Sequence, residues 1–380
     1  MRHLNLLFTL ALLITLASCT ALTNEAELPN EEQRAQQYID ESEAAVAEAE
    51  QEILDFEKEW ISTRSTVVVP AGSVDAIAAA IAEAGHGGTV VLASGEHTEN
   101  ETLVISTQVK IEGEDGATLL FPNAAPPAPI PVEIIPAIHV KDATRAWLKG
   151  FSMSTGTETA GRYAVLIQDA PRTRVEGLTI AGFQYGIFID GGNRCQLLRN
   201  TLVGVAPEYQ EAIIHWGITN STGQRTVIFN NELANFNVGI FFSDRSGLAF
   251  SNTVAGGDIG FLWCTVPQSQ VYPSGEVAFA ASPATGWRGY SNTGIGAVFN
   301  YLIVDGAQSS MAIQNQSIDA GLYDYEIAGE SERFGFTTPS SGNSLVISVG
   351  PYIDAGIKDC TGDNTIIGGS LVDTTVDPCF

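Results

Sequence analysis

Glu208-Tyr209-Gln210-Glu211 precedes His215-Trp216, a grouping of side chains suited to work on a sugar. Glu211 and His215 supply a carboxylate and an imidazole for acid/base chemistry, Tyr209 a proton donor, and Trp216 a flat surface for a pyranose ring. A competing reading comes from strand alignment. Matching Ala212 with Ala164 sets His215 level with Val140, Ile167, Ile189, Phe242 and Trp263, positions expected to face a core.

A second constellation is basic. Arg145, Arg172, Arg194, Arg225 and Arg245 each stand five to seven residues before a Gly or Asn corner, and Lys358 stands likewise before Asn364. Stacked guanidiniums repel one another unless anions intervene, and their planar forks match carboxylate or sulfate oxygens. That suits a uronate or sulfated glycan. Asp142, Asp169, Asp190 and Asp244 open four of the same turns and could neutralise the column, which then reads as a structural ladder.

The elements that would position these residues are short and repeated. The stretch from Ala137 matches that from Ala164 at an offset of 27, through Asp142/Asp169, Arg145/Arg172 and Gly150/Gly177. Related strands begin at Gly186, Ala212, Gly239 and Gly260, at spacings of 22, 26, 27 and 21. An Asn recurs two residues before an aliphatic at Asn200, Asn231, Asn252, Asn300, Asn343 and Asn364, as expected for a stack of corner side chains bonded along the pile. Short β-runs at such a period, with no intervening helical pattern, predict a parallel β-solenoid. His139, Leu166, Phe188, Ile214, Phe241 and Leu262 would form an outward apolar stripe, to be covered by the 30–62 helix, by 265–290 or by another subunit.

Between 69 and 120, a short helix (Ser73 as N-cap, then Val74, Ile77 and Ile81) leads into Gly87-Gly88-Thr89-Val90-Val91-Leu92 and Ile111-Glu112-Gly113. This resembles the entrance of right-handed β-helix proteins of the pectin-lyase-like superfamily, over roughly residues 66 to 375. The resemblance implies an all-β, right-handed parallel β-helix of about a dozen coils with an N-terminal capping helix. It leaves activity open, because the fold hosts lyases, hydrolases, epimerases, adhesins and scaffolds. The Asp, His and Arg motifs of polygalacturonases, mannuronan epimerases and pectate lyases do not occur in this sequence.

Ahead of that domain (65–380) lie two other segments. Residues 1–18 carry Arg2, His3 and an apolar run from Leu4 to Leu16, of signal-peptide length. They end at Leu16-Ala17-Ser18-Cys19, which resembles a bacterial lipobox. The resemblance implies lipidation of Cys19, anchorage to the envelope and, with Thr20 following, the outer membrane of a diderm cell. Residues 19–64 form an acidic, helical segment in which Ile39, Val46, Ile53 and Trp60 recur every seven residues, with Ser42, Ala49 and Phe56 between them. It reads as a solvated spacer.

The whole chain has 380 residues and a formal charge of −26. A nucleic-acid backbone is thereby excluded as the partner, since phosphate contacts need a concentrated basic surface. Residues 20–64 alone hold 13 acids against three bases, so much of the charge lies outside the β-domain. Cys360 and Cys379 are about one coil apart and are expected to pair; Cys195 and Cys264 are too distant to bridge. No cofactor and no metal site are expected. The leading expectation is a membrane-tethered β-helix that presents an elongated surface to polysaccharide. The alternatives are a lyase, epimerase or hydrolase of uronate glycans, and a structural scaffold that oligomerises through the apolar stripe.

Overall fold

The computed structural model describes residues 30–60, 65–122, 135–156, 160–204, 216–220, 223–243, 246–264, 284–303, 307–327, 340–346 and 356–368. Strands of three to nine residues build three stacked parallel sheets of 12, 9 and 10 strands. One coil runs through Arg174–Glu176 in the first sheet, Thr179–Ala181 in the second and Phe183–Asp190 in the third, then enters the next coil at Gln196–Leu198. The expected β-helix of about a dozen coils is therefore present.

In a three-residue strand the middle side chain points one way and its neighbours the other. Ile111, Leu148, Val175, Leu197, Ile228 and Ala249 stack in register as such middle residues, each 0–1% exposed. Aromatic residues continue the same logic inside the later coils, where Phe261, Tyr301 and Tyr325 stack face to face at 4.9 and 4.6 Å. Burial at this repeat is what makes each coil depend on its neighbours.

The corner between the first and second sheets turns through a left-handed residue, Gly150 and Gly177 in early coils, then Arg199, Asn230, Ser251, Ser291 and Gln314. The Asn that follows it joins a ladder through Asn200, Asn231, Asn252, Asn292 and Asn315. Each Oδ1 accepts from the backbone N–H and the Nδ2 of the Asn before it, or, at the head of the ladder, from Leu178 N at 3.0 Å. Three positions expected for this ladder belong elsewhere. Asn300 lies on a third-sheet strand, where its Nδ2 donates to Ser317 Oγ. Asn343 and Asn364 pair at a different corner, just before first-sheet strands.

Helix α2 (Ile77–Ala84) closes the open end with Ile77, Ala80, Ile81 and Ala84. Its start falls later than expected, because the chain first turns through Asp75 at φ 52°. Ser73 consequently donates to Pro70 O instead of capping, and Glu99 Oε1 accepts from Ile77 N at 3.1 Å.

The acidic segment departs from the solvated spacer expected of it. Helix α1 (Glu31–Glu59) starts in a capping box between Asn30 and Gln33 and lies along the outside of the first sheet. Its seam packs in three groups. Ala35, Tyr38 and Ile39 meet Ile313, Val346 and Ile367; Ala49 and Ile53 meet Leu198, Val227 and Leu248; Phe56 and Trp60 meet Trp147. The 29-residue helix is about 43 Å long. The nine first-sheet strands from Trp147–Lys149 to Thr365–Ile367 span roughly 38 Å, so one helix fits the row. Full burial of Ile53, Phe56 and Trp60 contributes about 1.5–3 kcal/mol each, which anchors the helix more firmly than surface ion pairs could.

Candidate basic edge and its helical strap

Arg145, Arg172, Arg194 and Arg225 occupy the turn that enters the first sheet, all with left-handed backbones at φ 72°, 59°, 57° and 54°. That conformation costs a non-glycine residue about 1–2 kcal/mol. It is held by turn-to-turn hydrogen bonds, Arg145 N to Pro171 O at 2.9 Å, Arg172 N to Asn193 O at 2.8 Å and Arg194 N to Gln224 O at 2.7 Å. The expected arginine column is thus real over four coils. It stops there, because Val227 pairs with Leu248, which sets Ser246 level with Arg225. Arg245 lies outside the described residues. Lys358 does not belong to the column, since it sits on a third-sheet strand with its ammonium over the Tyr323 ring.

The carboxylate within ion-pair distance of Arg145 and Arg172 comes from α1. Glu59 Oε2 lies 2.9 Å from Nη2 of both Arg145 and Arg172, and Arg145 also donates to Phe56 O. Two residues past Arg172, the strand residue Arg174 is fully buried under the helix. Its Nη1 donates to Ile53 O, its Nη2 meets Glu57 Oε1 at 2.7 Å, and its Nε lies 2.8 Å from Glu176. Arg199 pairs with the other oxygen of Glu176, and Trp147 Nε1 donates to that carboxylate at 3.2 Å. The Arg145 guanidinium lies 4.8 Å over Phe56 and that of Arg174 4.9 Å over Trp147. Burial pulls the pKa of Arg145 and Arg174 below the ordinary guanidinium value, and Glu59, and Glu176 with Glu57, oppose that pull. Farther along, Arg288 Nη1 donates to Glu41 O.

Arg194 and Arg225 differ. Among the described residues neither has a carboxylate within ion-pair distance, and both line clefts between helix and rod. One cleft, of about 170 Å³, is bordered by Arg172, Arg194, Gln196, Phe56, Glu52 and Asp55. The other, of about 450 Å³, is bordered by Arg225, Thr226, Ser246, Arg288, Glu48 and Glu52. Each pairs guanidinium donors on the rod with carboxylate acceptors on the helix. Such walls suit a ligand that carries hydroxyls and an occasional anionic group.

Glu211, His215 and Tyr209 lie outside the described residues, so the acid/base group has no geometry to weigh. The register does correct its alignment. The strand in that coil is Trp216–Asn220, with Trp216 opposite Tyr185 and Val238, and Asn220 between Ile189 and Phe242. Asn220, not His215, is level with the inward column, and Thr219, not Ile214, is level with the apolar stripe.

That stripe is not where α1 lies. Leu166, Phe188, Phe241 and Leu262 are 0–5% exposed within the single chain, in a cluster with Tyr163, Tyr185 and Leu302. His139, at the stripe's N-terminal end, shares a hydrogen bond with Gln168 Oε1 at 2.9 Å, which makes its Nε2 the protonated nitrogen. Burial lowers its pKa from the ordinary imidazole value. Cys195 and Cys264 are buried and form no disulfide, and burial pushes the Cys195 thiol up to about 12. Cys360 is disulfide-bonded; Cys379 and Cys19 lie outside the described residues. No group of three or more potential metal ligands occurs among the described residues.

Arg174, Glu57 and Glu59 were missed in the sequence. Their signal was present: Glu52 and Glu59 recur at seven residues beside the Ile53/Trp60 seam, which marks an acidic flank next to whatever the seam covers.

No family model and no curated protein matches the chain by sequence. Solved structures do. The surface protein and adhesin PfbA of Streptococcus pneumoniae is 12% identical, with 82% of this chain and 96% of that one covered at a TM-score of 0.51. An alginate lyase from Paenibacillus sp. is 12% identical over 80% and 97% at 0.49. The endo-xylogalacturonan hydrolase of Aspergillus tubingensis is 12% identical over 81% and 92% at 0.44. At such identities the likeness concerns architecture alone. In fold, the chain is a right-handed parallel β-helix.

Proposed function

We propose that this chain is an envelope surface protein, lipid-anchored at Cys19, whose β-helix binds a polysaccharide bearing scattered carboxylates along the Arg194–Arg225 edge. The observation that carries this reading is the contrast within one column. Arg145 and Arg172 are satisfied by Glu59, whereas Arg194 and Arg225 face clefts with no carboxylate in ion-pair reach among the described residues. A guanidinium fork receives a uronate carboxylate bidentately. Glu48, Glu52 and Asp55 on the opposite walls accept from sugar hydroxyls and repel a densely charged polyanion. The likeness in fold to a bacterial surface adhesin agrees with a surface role. No described helix is long and apolar enough to cross a membrane.

Binding of the full chain to oligosaccharides of graded uronate content tests the reading, with Arg194→Ala/Arg225→Ala compared with wild type. The double variant should lose most of the affinity for sparsely acidic oligosaccharides and keep its fold. Undiminished binding would remove the edge from consideration. Fatty-acid labelling of the expressed protein, lost in Cys19→Ala, checks the anchor separately.

A further inference from the structure

Helix α1 runs against the direction in which the coils advance. Its last turn meets the early coils, with Phe56 and Trp60 on Trp147 and Glu59 on Arg145 and Arg172. Its middle meets central coils, with Ile53 against the Leu198, Val227 and Leu248 cluster. Its first turns meet late ones, where Ala35, Tyr38 and Ile39 pack against Ile313, Val346 and Ile367. Asn30, the N-cap, therefore stands at the C-terminal end of the rod, although it precedes every coil in sequence. From this reversal we propose that the anchored protein turns its C-terminal coils toward the membrane and carries the α2 cap outermost, a proposal that rests on the lipid reading of Cys19.

The lengths decide between the two ends. Cys19 and Asn30 are separated by residues 20–29, a stretch that reaches at most about 38 Å even when fully extended. The first sheet has 12 strands and is roughly 53 Å long. If the α2 cap sat on the membrane, Asn30 would stand about that far above it, beyond the tether. With the last coil nearest the lipid, the tether reaches in any conformation. Docking of α1 creates the constraint, since a free helix would add about 43 Å of reach. One consequence concerns the basic edge: Arg194 and Arg225 lie between the two ends, held clear of the lipid surface on the side of the rod.

The test uses the full lipidated chain on phosphatidylethanolamine/phosphatidylglycerol vesicles that carry a headgroup-level quencher. A fluorescent side chain is introduced at Asp363, in the last coil, or at Glu83, on the exposed face of α2. Asp363 labels should be quenched several-fold more than Glu83 labels. Equal or reversed quenching on vesicle-bound protein would overturn the orientation. Failure of the lipidated chain to bind vesicles, or binding unchanged in Cys19→Ala, would instead overturn the anchor on which it rests. Ile53→Asp/Phe56→Asp, which removes two apolar anchors of α1, should undock the helix and bring the two labels toward equal quenching. A persistent difference in that variant would show that the helix does not set the orientation.

Discussion

Arg174 Nη2 lies 2.7 Å from Glu57 Oε1, so a guanidinium with no exposed side-chain surface on the rod is closed over by a carboxylate from the acidic helix. The pair joins two parts of the chain that differ sharply in composition. Charge alone would let the helix slide along the basic edge. The single buried guanidinium, forked between Ile53 O, Glu57 and Glu176, fixes one position.

The two members of that pair should contribute unequally. Arg174→Ala takes from Glu176, a carboxylate with only 9% of its side chain exposed, one of its two guanidinium partners and leaves Ile53 O without its donor, and is expected to cost about 1–3 kcal/mol. Glu57 is 45% exposed, and Glu57→Ala should cost under about 1 kcal/mol. Denaturant unfolding of both variants checks the ordering, and equal losses would contradict it.

Asn252 stands in the middle of the ladder, where its Oδ1 accepts from Asn231 N and Nδ2, and its Nδ2 donates to Ile228 O and Asn292 Oδ1. Asn252→Ala leaves several of those groups buried without partners, at about 1–3 kcal/mol for each unsatisfied group. Asn364→Ala, at a partly exposed end of the other pair, should cost markedly less. Thermal unfolding of the two variants compares them.

That ladder also shows how far the sequence carries. Asn200 and Asn231 are 31 residues apart, as are the register partners Tyr185 and Trp216. The corner spacing was therefore a better guide to the coil than the small-residue strand starts that aligned His215 with the core. Repetition made the fold legible, because each coil restates the same corner and the same inward aliphatic. The strap was less so. A heptad seam reveals that a helix is covered on one face but not by what, and the nearest acid to Arg172 in space, Glu59, is 113 residues away in sequence. Long-range pairing of this kind leaves only a composition signal.

His139 gives the described structure an acid sensitivity. Its folded pKa is lowered by burial, so below an unfolded value of about 6.5 the unfolded chain takes up a proton that the folded one resists. The stability is fully present above that pH and is lost as pH falls from there toward the folded pKa. Gln168 Oε1 can still accept, from the amide N–H of a glutamine at position 139, so His139→Gln should keep the packing and lose the proton linkage. The difference between unfolding midpoints at pH 7.5 and 5 should be narrower in the variant than in the wild type.

Glu59 holds two arginines of the edge and faces the smaller cleft, which makes it the residue that most limits anionic binding there. Glu59→Gln keeps a hydrogen-bond acceptor but removes the charge from a site where Glu59 and both arginines keep some contact with water. Each lost pair is worth under about 1 kcal/mol, so the helix should remain docked by its apolar seam. Arg145 and Arg172 would then add their charge to Arg194. Uronate-rich oligosaccharides should bind several-fold more tightly than to the wild type, with the gain shrinking as salt rises, because screening acts on exposed charges. Neutral oligosaccharides should bind unchanged. An equal gain for both kinds of sugar would mean that the substitution opened the cleft by shape and that the arginines do not select the ligand.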